Sequence, residues 1–208
     1  MGYKLTYFGI RGLAEPIRLL LTDQQIPFDD HRVQKSDWAG IKSQFQFGQV
    51  PCLYDDKEQI VQSGAILRHL ARKHGLTGNS EMDTTYADMF HEGVRDLHMK
   101  YTKMIYTAYE AEKDSFIKEI LPVELAKLEK LLTSRNGGEG YILGDKICYA
   151  DYALFEELDI MLILTKDALD NFSALKGYHK RMSERPHLKE YLAKRHTAKV
   201  PVNGNGKQ

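Results

Sequence analysis

The first 76 residues alternate short apolar runs with two helical patterns. Runs rich in strand-forming residues lie at residues 4–8, 28–33, 52–54 and 59–61. Apolar residues at helical spacing occupy residues 13–24 and 66–74. Strand, helix and strand in such a short stretch imply a right-handed parallel crossover. The order βαβ–ββα therefore predicts a mixed four-stranded sheet with helices, forming one domain over residues 1–76.

The pattern changes after a linker at residues 77–81, because no further strand signal follows it. One apolar stripe at 3.6-residue spacing runs through residues 82–112 and predicts a single long helix. Further helices are predicted over residues 116–132, restarted at Pro122, and over residues 151–164, 172–184 and 187–195. Residues 151–164 are apolar nearly all round, which indicates a buried central helix. The predicted fold class is thus an α/β domain followed by an all-helical domain over residues 82–208.

Composition excludes several classes of function. The 208 residues carry 29 basic and 29 acidic side chains, so no net field favours nucleic acid or an anionic membrane. No signal region and no long apolar run is present. The cysteines, Cys52 and Cys148, are far apart, which indicates a reducing, cytoplasmic setting. His91 and His98 could share a helix face but lack a third ligand, so no metal site is expected.

The clearest candidate site surrounds the hairpin and helix at residues 49–70. The hairpin delivers Ser63 to the first turn of a helix, where free N–H groups and the helix dipole favour an anion. Pro51 lacks an N–H, so it suits a strand edge that faces an extended peptide. Polar and aromatic residues expected around this edge are Tyr7, Trp38, Lys42, Gln49, Gln62 and Ser63. From these residues alone, an ordinary hairpin and helix, with Tyr7 in the core or an interface, is the simpler explanation.

Several motifs resemble the cytosolic glutathione S-transferases. In the first domain these are residues 7–12 (Tyr-Phe-Gly-Ile-Arg-Gly), 48–51 (Gly-Gln-Val-Pro) and 62–70 (Gln-Ser-Gly-Ala-Ile-Leu-Arg-His-Leu). In the second domain, residues 93–97, 100–101, 105–111, 144–145, 150–152 and 203–208 resemble the pi class, and within it the enzymes of filarial nematodes. The likeness extends in register over essentially the whole chain.

This resemblance implies a thioredoxin-like first domain that binds glutathione as co-substrate, without a cofactor. The glutathione contacts implied are Trp38, Lys42, Gln49, Val50, Pro51 with a cis peptide bond, Gln62 and Ser63. The Tyr7 hydroxyl would donate a hydrogen bond to the glutathione sulfur and favour the thiolate, which is the nucleophile. The thiolate would then attack an electrophilic, mostly apolar small molecule.

The resemblance also implies an electrophile pocket and a homodimer. Residues implied to line the pocket are Phe8, Ile10, Tyr106 and Gly204. Asp96 would reach across a two-fold interface to the partner's glutathione. Phe47 would be the aromatic key that inserts into the other subunit.

Five positions depart from the pi-class pattern. Leu13 replaces an arginine near glutathione, and Arg95 replaces an acid beside Asp96. Phe45 stands where mammalian relatives have a redox-sensitive cysteine, and Gly9 where proline is common in the pocket wall. Cys148 replaces the serine that caps the central helix, so half of a capping box is predicted to be lost, at about 1 kcal/mol.

Three functions stay open at this point. The first is a detoxifying transferase. The second is a non-catalytic carrier of glutathione or lipophiles, or an interaction protein. The third is a glutathione-dependent isomerase or prostaglandin synthase. The presence of Tyr7, Gln49, Ser63 and Asp96 favours an enzyme, and Tyr106 with the tail favours the pi class. The preferred electrophile depends on pocket shape and is not predicted.

Overall fold

The strands form the expected mixed sheet. A computed structural model describes residues 2–208, so Met1, the first residue of the predicted domain 1–76, lies outside it. The strands are β1 Tyr3–Phe8, β2 Phe28–Val33, β3 Cys52–Asp55 and β4 Glu58–Val61. Their order in the sheet is β2-β1-β3-β4, with β1 parallel to β2 and the other two pairs antiparallel. The predicted βαβ–ββα order and its four-stranded mixed sheet are confirmed.

The helices agree with the apolar periodicity, with one exception. They are α1 Glu15–Asp23, α2 Trp38–Ile41, α3 Ser63–His74, α4 Glu81–Thr107, α5 Tyr109–Ser115, α6 Leu121–Thr133, α7 Tyr149–Leu164, α8 Ser173–Ser183 and α9 Pro186–Thr197. The single helix predicted over residues 82–112 is wrong. It breaks at Ala108, which has φ −150° and ψ 34°, and α5 begins directly after it. The predicted restart near Pro122 is confirmed, since α6 follows a π-helical turn at Phe116–Ile120.

The contacts group the chain into two compact units. Among the described residues, the first contains residues 2–74 and 185–206, and the second contains residues 75–184 and 207–208. The predicted domain boundaries stay a prediction, and this grouping differs from them for residues 185–206. None of the helices in residues 2–208 is long enough and apolar enough to cross a membrane.

The core of the first unit lies where α1 and α3 pack on the sheet. Leu5 and Leu53 from the sheet are fully buried, as are Ile17 and Leu20 from α1 and Leu70 from α3. At roughly 2 kcal/mol for each large apolar side chain, this burial is what holds the unit together.

Helix α9 packs against α1 within the first unit through buried charges. Glu15 of α1 accepts hydrogen bonds from the Tyr191 hydroxyl at 2.9 Å and from Arg195 at 3.0 Å. Asp23 at the end of α1 pairs with Arg185 at 2.7 Å. The last helix is therefore tied to the first unit by ion pairs as well as by packing.

Helix α7 forms the centre of the second unit and is buried on nearly every side, as predicted. Its N-terminus is held by Asp151, whose carboxylate accepts from the Cys148 N–H at 2.7 Å, the Ile142 N–H at 2.9 Å and the Tyr178 hydroxyl at 2.8 Å. Both halves of the capping box are present, because the Cys148 side chain faces the Asp151 N–H. The geometry of the box is therefore complete with sulfur in place of the serine oxygen, and the predicted cost of about 1 kcal/mol for the weaker acceptor stays a prediction.

Candidate active site

The Tyr7 hydroxyl is held in place by the loop that follows β1. Tyr7 is 7% exposed, and its hydroxyl oxygen accepts a hydrogen bond from the Leu13 N–H at 3.2 Å. Gly12 lies against the ring with φ +43°, and a Cβ there would be 2.5 Å from the Tyr7 hydroxyl oxygen. Only glycine combines this backbone conformation with this close approach. The loop thus sets the position of the hydroxyl that the resemblance assigns to the glutathione sulfur.

Arg18 supports this loop from beneath. Its guanidinium is fully buried and donates to the carbonyl oxygens of Ile10 at 2.8 Å and Phe8 at 3.3 Å. The same guanidinium pairs with Glu15 at 3.2 Å and Asp30 at 3.0 Å, and its carbon lies 5.9 Å from the centre of the Tyr7 ring. A buried cation satisfied by two carboxylates and three backbone carbonyls, including that of Arg11, is a rigid support.

A shallow cleft beside the Leu13 turn brings most of the predicted glutathione residues together. Its lining consists of Leu13, Gln46, Phe47, Gln49, Val50, Pro51, Val61, Gln62 and Ser63. Five of the seven predicted contacts are in this lining. Trp38 and Lys42 lie outside it, and Leu13 occupies the place where the pi pattern expects a cation.

The floor of the cleft combines a strand edge with a helix start. The Val50–Pro51 peptide bond is cis, as the resemblance implies. Gln62 has φ +70°, a left-handed conformation that is uncommon for a residue with a side chain and occurs at functional sites. The Gln62 carbonyl accepts the first helical hydrogen bond of α3, from the Ile66 N–H at 2.9 Å. The N–H groups of the first turn, beginning at Ser63, precede that bond and suit an anion.

The segment between α2 and β3 carries the remaining first-unit residues. Trp38 stacks on Phe45 with ring centres 5.7 Å apart and meets Phe8 edge-on at 5.3 Å. Lys42 is exposed, and its stem passes over Gly48. Phe47 is 75% exposed with φ +60°, so a large aromatic side chain projects into solvent from a left-handed turn.

The predicted electrophile and dimer residues are divided between the two units. Phe8, Ile10 and Gly204 belong to the first, and the Gly204 carbonyl accepts from Lys35. Tyr106, which is 53% exposed, and Asp96, which is exposed on α4, belong to the second. Their assembly into a pocket or an interface stays a prediction. Across residues 2–208, no three His, Cys, Asp or Glu side chains converge as a metal site would require.

Sequence reasoning missed three features of this site. They are the Leu13 backbone N–H, the Arg18 guanidinium and the Gln59 side chain, which contacts residues 44 and 46. Gly12 is a signal for the first, since a glycine in a loop can mark a left-handed backbone or a close approach. Arg18 and Gln59 sit in ordinary helix and strand patterns and carry no such signal.

Two family models together match most of the chain. The family model described as the glutathione S-transferase N-terminal domain matches residues 3–72, and the one for the C-terminal domain matches residues 95–195. The chain belongs to the glutathione S-transferase family.

Comparison with individual relatives identifies the class within this family. The chain is 70% identical over 208 residues to glutathione S-transferase 2 of Onchocerca volvulus and 64% identical to the glutathione S-transferase of Dirofilaria immitis, with 100% of each chain covered in both comparisons. The solved structure of the Onchocerca volvulus pi-class enzyme is similar with a TM-score of 0.99 over 100% of both chains. The resemblance to the pi-class enzymes of filarial nematodes is confirmed.

Proposed function

We propose that this protein conjugates the thiolate of glutathione to electrophilic, mostly apolar small molecules, and that it does so as a cytoplasmic pi-class transferase in detoxification. The observation that carries this proposal is the Tyr7 hydroxyl, held by the Leu13 N–H beside a cleft lined by Gln49, Pro51 and Ser63. Both cysteines are free and buried, which is compatible with a reducing compartment.

Glutathione is a short peptide with carboxylates at both ends, and the cleft suits that chemistry. The γ-glutamyl carboxylate would accept hydrogen bonds at the start of α3, from Ser63 and Gln62, where the helix dipole is positive. The cysteinyl backbone would pair with Val50 as a short added strand. Lys42, Gln49 and Trp38 would hold the glycyl end, with Lys42 acting by charge.

Tyr7 would act on the sulfur. The Leu13 N–H bond uses one acceptor lone pair of the Tyr7 hydroxyl oxygen, and a hydroxyl that accepts a hydrogen bond becomes a better donor. A free thiol has a pKa near 8.5, so lowering it by about 2 units takes roughly 3 kcal/mol. One strong hydrogen bond to the thiolate and nearby backbone dipoles supply energies of that size. The thiol proton passes to solvent, and the thiolate attacks the electrophilic carbon. The carbon–sulfur bond forms as a leaving group such as chloride departs or as an activated double bond opens, and no covalent bond to the protein forms.

The remaining assignments concern the electrophile and the second subunit. Phe8, Ile10, Tyr106 and Gly204 would line the electrophile pocket. In a homodimer, Phe47 would insert between helices of the partner, which accounts for an aromatic side chain with 75% exposure in the single chain. Asp96 would bind the amine of the partner's glutathione.

The experiment that tests catalysis is Tyr7→Phe, assayed with glutathione and 1-chloro-2,4-dinitrobenzene. We expect kcat/KM to fall by on the order of 100-fold, the usual effect of removing one donor to a developing or stabilised anion. Tyr3→Phe is the matched control. It removes a hydroxyl from the same strand, where Tyr3 bonds His74 at 2.9 Å, and activity should stay within two-fold. Unchanged turnover in Tyr7→Phe would refute the role of Tyr7.

A second experiment tests the dimer assignment with Asp96→Asn. We expect KM for glutathione to rise about ten-fold or more, because a charge-assisted hydrogen bond is worth about 1.5–3 kcal/mol. Asp114→Asn, an exposed acid on α5, is the control and should leave KM unchanged. A wild-type protein that sediments as a monomer at micromolar concentration would contradict the assignments of both Asp96 and Phe47.

A further inference from the structure

The loop at residues 42–48 has little structure of its own. It consists of two short 3₁₀ turns, Lys42–Gln44 and Gln46–Gly48, joined at Phe45 in an extended conformation. Its internal backbone hydrogen bonds include Phe45 N–H to Lys42 O at 3.3 Å and Gly48 N–H to Phe45 O at 2.9 Å. Short 3₁₀ turns have poor hydrogen-bond geometry, so the loop depends on its anchors for a defined position.

One anchor is apolar. Phe45 is 7% exposed and packs in a small cluster with Cys52 and Val61 of the sheet, flanked by Trp38 and Tyr54. This contact places the middle of the loop against the sheet. An aromatic ring in an apolar cluster resists withdrawal but leaves the backbone on either side of it free to move.

The second anchor is polar and comes from Gln59 on β4. Its Nε2 donates to the Gln44 carbonyl at 3.1 Å and to the Tyr54 hydroxyl at 3.0 Å, and its Oε1 accepts from the Gln46 N–H at 3.1 Å. One amide thus binds the backbone immediately before and after Phe45. The third bond, to Tyr54, holds the amide itself in the orientation that serves the loop.

We propose that Gln59 is a positioning residue for glutathione. Its amide keeps the 42–48 loop closed on the sheet, so that Gln49 in the cleft lining and Lys42 outside it are in position before glutathione arrives. Gln59 itself is not part of the cleft lining found in residues 2–208, so it acts through the loop. The proposal rests on the glutathione contacts of the proposed function.

The expected effect of Gln59 is on the fraction of free protein molecules in which the 42–48 loop is closed. A ligand that binds only the closed loop has an apparent Kd equal to its intrinsic Kd divided by the closed fraction. Losing two net hydrogen bonds shifts the open-to-closed ratio by up to about 100-fold. A loop closed in about ten of eleven free molecules would then be closed in about one of eleven, and the apparent Kd would rise about ten-fold. Removing the clamp therefore weakens glutathione binding while leaving the chemistry of the bound complex intact.

The test is Gln59→Met, which keeps the side-chain length and removes all three hydrogen bonds. The chain has one tryptophan, Trp38, and it stacks on Phe45, so its fluorescence reports glutathione binding to this region without interference from other tryptophans. We expect the Kd for glutathione to rise about ten-fold, equivalent to about 1.4 kcal/mol. The kcat at saturating glutathione should stay within two-fold. Amide hydrogen exchange of residues 42–48 in the free enzyme should accelerate about ten-fold.

Two further variants separate positioning from general loss of structure. Glu58→Met makes a similar change at the neighbouring position of β4, where the side chain faces the opposite side of the strand, and should leave Kd unchanged. Tyr54→Phe removes the bond that orients the amide, together with the side-chain hydrogen bond between Tyr54 and Cys52, and should raise Kd by about two-fold.

The outcomes distinguish a failure of the Gln59 proposal from a failure of the proposed function. A Kd within two-fold of the wild-type value in Gln59→Met would overturn the inference, whether or not hydrogen exchange changes. An equal rise in Glu58→Met would show a general effect on β4 and overturn it too. A wild-type protein that binds glutathione but does not conjugate it would instead contradict the proposed function and leave the Kd comparison valid.

Discussion

Gly12→Ala is the substitution for which the structure makes the sharpest prediction. The new Cβ would lie 2.5 Å from the Tyr7 hydroxyl oxygen and 2.9 Å from its Cε1, where ordinary contacts begin at 3.4 Å. The hydroxyl must therefore retreat by roughly 1 Å, and a displacement of that size at a catalytic group costs on the order of 100-fold in rate. This loss corresponds to about 2.7 kcal/mol of transition-state stabilisation.

The same substitution also strains the backbone, because φ is +43° at Gly12. A residue with a Cβ pays about 1–2 kcal/mol in the left-handed region. Typical domains unfold at about 5–15 kcal/mol, so the variant should still fold. Activity should therefore fall far more than stability.

The assay combines kcat/KM for 1-chloro-2,4-dinitrobenzene with the pKa of bound glutathione, read from thiolate absorbance against pH. We expect that pKa to shift up towards the free value near 8.5. Gly75→Ala is the matched control, since φ is +69° and no atom lies within 4 Å of the added Cβ, so it carries the strain alone. A folded Gly12→Ala enzyme with activity within three-fold of wild type would refute the reasoning, as would an equal loss in Gly75→Ala.

Two further predictions concern buried titratable groups. Burial by itself lowers the pKa of His98. The Glu157 carboxylate, 2.8 Å away, outweighs burial, so the pKa of His98 is raised above its ordinary value. The pair therefore contributes stability that is fully present below about pH 6.5 and is lost as pH rises through the folded-state pKa. Denaturant unfolding of Glu157→Gln should show a larger loss at pH 6 than at pH 9, and equal losses would contradict the linkage. Burial also raises the pKa of Cys52 to about 11 and that of Cys148 well above its usual range. Ellman's reagent at pH 7.5 should label neither thiol within minutes until guanidinium is added, and rapid labelling of the native protein would count against this picture.

The local pattern of apolar residues was sufficient to predict most of the strands and helices. Period-2 and 3.6-residue repeats located the four strands and the buried helix α7 to within a few residues, because burial of one face is recorded directly in the side chains. The break at Ala108 could not be predicted in this way, because alanine is a good helix former and continues the stripe. Helix propensity is only a weak guide to where a helix ends.

For the site, the sequence by itself determined the chemistry: a tyrosine at a strand end, a proline at a strand edge and Ser63 at a helix start, in motifs that identify the family. The tertiary structure alone decided how these groups are held. Three contacts show this: Gly12 packs against Tyr7, Arg18 donates to loop carbonyls, and Gln59 donates to and accepts from the 42–48 loop. Each of them joins residues across irregular segments. Such contacts follow no sequence period, since loop backbones take their positions from the partners that satisfy their polar groups.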